Sequence, residues 1–328
     1  MTTIWQRETI SQDIMEQVGP RGQRVHLIKP VPSASVRSWA GDVPFWRTDL
    51  HAVAAPDATD PASEPLLLVE CEGWRLKLTK RGVASPYAWR HIDADEAFFV
   101  HRGAALIQTE LGQLDAPAGR FVVIGRGIAY RVLPTSADFL ALIIETDKPL
   151  GLHESVYAGE VPLIAPTFPC MLPEPNRQDI WEERLVTHHW SASAQRPYDP
   201  LRVKKIVGKA RLVYGIDVEA IPAHSPTAPL PGLPFELFEC PTMELQISKR
   251  ADPLPFYDRN VNRSEVEFCH LGNADQDTEL GYVEAGPGIF YNLPSGIEHA
   301  PANRRAPLVN LIWESEGRVA VNPAILPA

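Results

Sequence analysis

Residues 70–146 and 239–315 are one segment written twice, in register and without a gap, at a constant offset of 169. Glu70-Cys71 recurs as Glu239-Cys240, Lys80-Arg81 as Lys249-Arg250, and Glu96, Phe99, His101 and Gly103 as Glu265, Phe268, His270 and Gly272. Thr109-Glu110-Leu111-Gly112 returns as Thr278-Glu279-Leu280-Gly281, and Gly127-Ile128 as Gly296-Ile297. Between Trp89 and Tyr130, 15 of 42 aligned positions are identical. Two copies of one folding unit follow from this, and positions where the copies disagree become as informative as those where they agree.

The unit itself reads as strands and turns. Phe121-Val122-Val123-Ile124, Phe139 to Ile144 and Glu244 to Ser248 are short runs of strand formers bounded by Gly, Pro, Asp and Asn. With 32 prolines in 328 residues, long helical windows are broken nearly everywhere. Helix is expected only near Ile10 to Val18 and Gln178 to Leu185. The expectation is an all-β chain of two barrels with few short helices, divided into residues 1–150 and 151–328, the latter including a Pro-rich connecting region.

A net charge of −10 with interspersed signs, and no lysine- or arginine-rich run, argues against nucleic acid or a membrane surface as partner. No apolar run is long enough to span a bilayer, and the first 17 residues carry Arg7, Glu8, Asp13 and Glu16, unlike a signal peptide. Cys71 and Cys240 are repeat counterparts, so each belongs to its own copy. Reduced thiols in a cytoplasmic protein are the expectation.

In the second copy, Asp258, Asn260 and Glu265 precede Gly272, and Gly288, Pro294, Gly296, His299 and Asn303 follow. The later set matches the second cupin motif, G-x5-P-x-G-x2-H-x3-N, at every fixed position. The earlier set resembles the first, H-x-H-x(3,4)-E-x6-G, with Asp258 and Asn260 at the histidine positions and Asp252 where a leading glycine is expected. Positions two apart on a strand point to one face, so Asp258 and Asn260 share the barrel interior. Oxygen and imidazole ligands from Asp258, Asn260, Glu265 and His299 suit iron(II), or manganese(II). The first copy has Trp89, His91, Glu96 and Tyr130 at these positions and Gly125 for the motif proline, a set that reads as a structural barrel.

Arg90 to Gly103, Thr109-Glu110 with Gly112, and Val122 to Arg131 resemble the cupins related to homogentisate 1,2-dioxygenase, as do Pro197 to Leu201 and Tyr214 to Asp217. The neighbouring families are gentisate dioxygenases and the large subunit of two-subunit hydroquinone dioxygenases. The latter is similar to this chain in placing an Asn at the second position of the first motif, here Asn260. The resemblance implies a bicupin of two jelly-roll (double-stranded β-helix) barrels. It further implies a non-haem iron(II) enzyme that opens a small aromatic ring bearing para-placed hydroxyls with both atoms of dioxygen. The assembly implied is a homo-oligomer or a complex with a smaller subunit. A non-oxidative metal-dependent cupin of isomerase type, and a structural subunit of a dioxygenase complex, are the alternatives.

The first ligand departs from the family. Two acidic ligands, Asp258 and Glu265, neutralise a divalent ion before substrate arrives, which weakens its Lewis acidity. Asp258 is therefore either a ligand or a base for a substrate hydroxyl, with ligation favoured. Tyr257 and Tyr291 have Ala88 and Val122 as their counterparts in the first copy and are candidates for the substrate pocket. His270 is a further catalytic candidate, although its counterpart His101 persists in the copy without the ligand set, which favours a structural hydrogen bond. Arg259, matched by Arg90, reads as a salt-bridge partner and Cys269 as core. His188-His189 reads as a loop pair, and Arg304 and Arg305 as a solvated turn.

Overall fold

The computed structural model describes residues 11–17, 23–29, 38, 40–158, 161–170, 181–203, 206, 212–223, 234–249, 256–302 and 304–326. Each copy contributes nine strands. In the first they are Leu66–Cys71, Trp74–Thr79, Ala88–His91, Asp95–Arg102, Ala104–Thr109, Gly112–Pro117, Arg120–Ile124, Ala129–Pro134 and Leu140–Thr146. In the second they are Phe235–Cys240, Met243–Ser248, Phe256–Asn260, Arg263–Asn273, Gln276–Thr278, Gly281–Val283, Ile289–Leu293, His299–Pro301 and Arg305–Glu316. In both, one sheet runs first-second-ninth-fourth-seventh and the other third-eighth-fifth-sixth, the jelly-roll order. The chain is all-β, with short 3-10 turns as its only helices among the described residues. None is long and apolar enough to cross a membrane.

The repeat extends beyond the segment visible in the sequence. Ser11–Gln17 pairs in parallel with Phe256–Asn260 of the second copy, and Trp181–Val186 pairs in parallel with Ala88–His91 of the first. Each is doubled by an antiparallel neighbour, Gln23–Lys29 and Ser191–Arg196. Arg47–Asp49 borders the second copy's larger sheet and Val213–Asp217 the first's. Gly151–Leu152 and Ala320–Val321 close the opposite edges. The arm and tail of each half thus add to the barrel of the other, covering sheet edges that would otherwise be unpaired. A boundary at residue 150 consequently does not divide the sheets, because both halves contribute strands to both barrels.

The two helix expectations are corrected here. Ser11–Gln17 and Trp181–Val186 are strands, while residues 10, 18 and 178–180 lie outside the described residues. In both cases the edge of a barrel strand supplies backbone partners along most of the segment, which outweighs local helix propensity. Strand alternation also turns Glu183 inward, where it accepts from Arg90 Nε and Arg196 Nε at 2.6 Å each.

A shared apolar layer joins the copies. Phe99, Phe121, Phe235, Phe238, Phe268, Phe290, Trp74 and Trp313 belong to one continuous buried cluster contributed by both halves. Phe121 meets Phe238 edge-on at 5.4 Å, a favoured aromatic geometry. Since side chains alternate along a strand, Val266, Phe268 and His270 face this layer and Glu265, Glu267 and Cys269 face the barrel interior.

Candidate metal centre

Three ligand types meet inside the second barrel. Asp258 and His299 are cross-strand partners, Glu265 stands near the start of the neighbouring sheet's strand, and donor atoms of the three lie within 4.8 Å of one another. His299 Nε2 is 3.3 Å from Glu265 Oε1, and Asn260 Nδ2 donates to the same oxygen at 2.5 Å. Glu265, His299 and Asn260 are buried, whereas Asp258 is half-buried. The turn before His299 is held by Gly296, whose N–H donates to Asn260 O at 2.7 Å and whose φ of 86° suits glycine. Gly127 makes the same bond to His91 O in the first copy. The motif residue Asn303 lies outside the described residues.

These residues fit a divalent ion. His299 Nδ1 faces Ile297 O at 3.2 Å, so a proton there leaves Nε2 for the ion, the usual arrangement of a metal-binding imidazole. Asn260 Oδ1 is buried without a hydrogen-bond partner. Burial disfavours a charge on His299, but Glu265, and after it Asp258 and Glu267, outweigh that and raise its pKa to about 10. Burial likewise works against the Glu265 charge, yet His299 and the Asn260 amide hold its pKa below the usual value.

Behind the cluster is a polar layer that a motif search passes over. Glu267 accepts from Tyr291 Oη at 2.7 Å, from Asn310 Nδ2 at 2.5 Å and from Gln276 Nε2 at 3.2 Å. Burial, and then the charge of Glu265, push the Glu267 pKa up. At the counterparts of Glu267, Gln276, Tyr291 and Asn310 the first copy has Phe98, Ile107, Val122 and Ala141, all in its apolar interior. The offset between copies, read for disagreement, carries this signal. Arg304 turns inward rather than into solvent: its Nη1 donates to Ser248 Oγ at 2.8 Å and its Nε is shielded. Its counterpart is Thr135.

The remaining candidates separate. Tyr291 is fully buried in the Glu267 network. Tyr257 alternates away from Asp258 and donates to Asp277 Oδ2 at 2.7 Å. Arg259 is ion-paired with Glu298. His270 stands apart from the cluster, in the layer between copies, with its Nδ1 2.9 Å from His101 Nδ1. Cys269 is core, and burial pushes its thiol up to about 12. Arg305 is exposed at the start of Arg305–Glu316. In the first copy Tyr130 Oη donates to Glu96 Oε1 at 2.9 Å, and Lys77 pairs with Glu145 at 2.5 Å. His188 is drawn against that barrel, whereas His189 is exposed to a greater degree in the same turn. The four cysteines of the sequence are all free.

No family model matches the chain. Among solved structures, the protein Ylba from E. coli is similar at 7% identity and a TM-score of 0.48, over 88% of this chain and 97% of that one. A cupin 2 conserved barrel domain protein from Leptotrichia buccalis gives 9% identity and a TM-score of 0.45, over 86% and 99%. A deletion mutant of Bacillus subtilis oxalate decarboxylase gives 10% and 0.41, over 86% and 80%.

Proposed function

We propose that the second barrel holds iron(II) on Glu265, His299 and Asp258, with the Asn260 amide oxygen beside it, and that the protein opens the ring of a hydroquinone-type aromatic with dioxygen. The supporting observation is the convergence of one imidazole and two carboxylates within 4.8 Å in a barrel interior, a donor set suited to iron(II) or manganese(II). Bound iron(II) supplies the one-electron chemistry by which dioxygen reacts with an electron-rich ring. The chain's own residues set the conditions. Asp258 and Glu265 balance the charge of the ion. Ile297 O fixes the His299 tautomer, and the Asn260 amide holds Glu265 in place. Asp258, less buried than Glu265 and His299, is the ligand we place beside the incoming phenol. Hydroquinone, gentisate and homogentisate are the substrate class this reading names. The test is oxygen uptake in equal molar amount with loss of aromatic absorbance, dependent on iron(II) and needing no external reductant. Turnover that proceeds anaerobically, or that zinc sustains equally, overturns it.

One observation favours a second reading. Glu265 and Glu267 are neighbouring carboxyls whose pKa values are pushed in opposite directions, an arrangement suited to moving protons. A non-oxidative, isomerase-type reaction uses that pair, and the anaerobic assay separates the two readings.

A further inference from the structure

The geometry points to a second cation site, in the first barrel, built by His91, Glu145 and His188. None of the three occupies a position that the duplicated motif marks for the ion in the second copy except His91, the counterpart of Asn260. Glu145 corresponds to Glu314, which in its own barrel is taken up by Gln246 at 2.8 Å and by Arg263. His188 comes from the turn after Trp181–Val186, the arm that pairs with Ala88–His91.

The donor atoms of the three residues lie within 4.8 Å of one another. Ligand bonds of about 2.0–2.2 Å place two donors at most about 4.3 Å apart, so the set closes on an ion with a movement of a few tenths of an ångström (~0.5 Å). Three atoms there, His91 Nε2, Glu145 Oε2 and His188 Nε2, are buried without a hydrogen-bond partner. Their polar contacts are of ion-pair type: His188 Nε2 is 2.6 Å from Asp147 Oδ1 and His91 Nε2 is 3.7 Å from Glu145 Oε1. Buried polar atoms are ordinarily hydrogen-bonded, and three converging atoms of ligand type without a hydrogen bond are what a cation would satisfy together.

The surroundings bear on which cation. His91 Nδ1 lies 3.3 Å from Asp93 Oδ1 and 3.2 Å from the Ala94 N–H. Nδ1 accepts from that N–H, so an ion at Nε2 requires the ring proton to move to Nδ1, toward Asp93, at the cost of the Ala94 bond. Lys77 occupies the other oxygen of Glu145 and Arg75 pairs with Asp147 Oδ1 at 3.1 Å, so two cations border the cluster, with Asp93 and Asp147 beside its histidines. The adjoining cavity, lined in part by His91, Glu145, Glu96, Trp89 and Tyr130, has a volume of about 30 Å³. That is room for an ion with one or two waters and too little for an aromatic ring. Two imidazoles and a carboxylate suit zinc, cobalt(II) or iron(II), and a site with room for little more than water is structural. Its ion would tie the exchanged arm to the barrel.

Cobalt(II) titration of the chelator-stripped full-length protein, followed by calorimetry and visible absorbance, tests the site. Two ions per chain are expected. His299→Ala should retain one of them, and His188→Ala should lose that one, with affinity at the first-barrel site falling on the order of 100-fold or more. His91→Asn installs the residue the second copy carries at this position and serves if His188→Ala does not fold; it should have the same effect. A His299→Ala protein that binds no cobalt, or a His91→Asn protein that binds as the parent does, overturns the proposal. A parent stoichiometry of one that survives His299→Ala and is lost in His91→Asn supports this site while removing the second-barrel reading, so the two failures are distinguishable.

Discussion

His101 Nδ1 and His270 Nδ1 meet at 2.9 Å across the layer between the copies, and each is the other's counterpart at the repeat offset of 169. One proton lies between the two nitrogens, so one ring donates and the other accepts, and the internal symmetry is broken at its centre. The chain of rings continues from His101 Nε2 to His51 Nε2 at 2.9 Å. His51 belongs to the exchanged N-terminal arm, so the contact joins three segments at once. Edge-on contacts with Phe268 and Phe99 enclose His101 and His270 respectively.

That burial sets a pH dependence of stability. Desolvation, with the neighbouring His270 and His51, takes the His101 pKa down to about 3, and desolvation takes His270 down to about 4. The folded state therefore binds fewer protons than the unfolded chain, whose imidazoles titrate near 6.5. Stability is fully present above that value and declines as pH falls from about 6.5 toward 4. Urea midpoints measured between pH 7 and pH 4 should fall, and His270→Gln, which cannot titrate, should flatten the slope. An unchanged slope in that variant would assign the pH dependence to other groups.

Two lysines fasten the exchanged arms in equivalent ways. Lys80 Nζ donates to His51 O and Val53 O at 2.9 and 2.6 Å, and Lys249 Nζ to Val218 O, Glu219 O and Ile221 O at 3.0, 3.1 and 2.8 Å. Replacing either by Met leaves partly buried carbonyls without their donor, at a cost of about 1–3 kcal/mol. Lys80→Met and Lys249→Met should each lower the unfolding free energy by that amount and speed proteolytic cleavage within the released arm. Cleavage rates equal to those of the parent would show that strand pairing alone holds the arms.

The barrels were legible because their alternation and turn residues recur at a fixed spacing, which exposes both the strand pattern and the odd ligand positions. The arms were not. Ser11–Gln17 and Trp181–Val186 lie at corresponding places in the two halves and make the same parallel pairing, yet their side chains are little alike, since backbone bonds to a sheet edge constrain sequence weakly. His188 was opaque for a related reason: its neighbours His91 and Glu145 come from strands far away in the chain, and no local spacing reports that meeting. Glu267 could have been read, because a carboxylate replacing Phe98 at an inward position is a costly exchange that needs donors, and Gln276, Tyr291 and Asn310 replace apolar residues at the same offset.

Metal content should follow the second barrel's donors. Glu265→Ala and His299→Ala should each lower bound iron by one ion per chain, while Glu96→Ala, at the corresponding position of the first barrel, should leave the content unchanged. Glu96 is held by Tyr130 and contributes no donor to either cluster. Elemental analysis of the purified variants decides this, and full occupancy in His299→Ala would place the ion elsewhere.

Asp258 decides the electrostatics of the proposed reaction. As a ligand beside Glu265 it brings a divalent centre to neutrality, whereas a histidine there would leave a net charge of about +1 to draw an anionic phenolate. Its position opposite His299 in the strand pairing allows an imidazole at 258 to reach the same point. Asp258→His should therefore tighten binding of anionic phenols to the iron-loaded protein and keep or raise turnover, with metal content preserved. If Asp258 instead takes the proton of the substrate hydroxyl, the same change leaves phenol binding where it was and lowers turnover, most steeply at low pH where the new imidazole is protonated. Phenol difference spectra and initial rates across pH separate these outcomes. Lost activity together with unaltered phenol binding would refute coordination by Asp258 and make it the base.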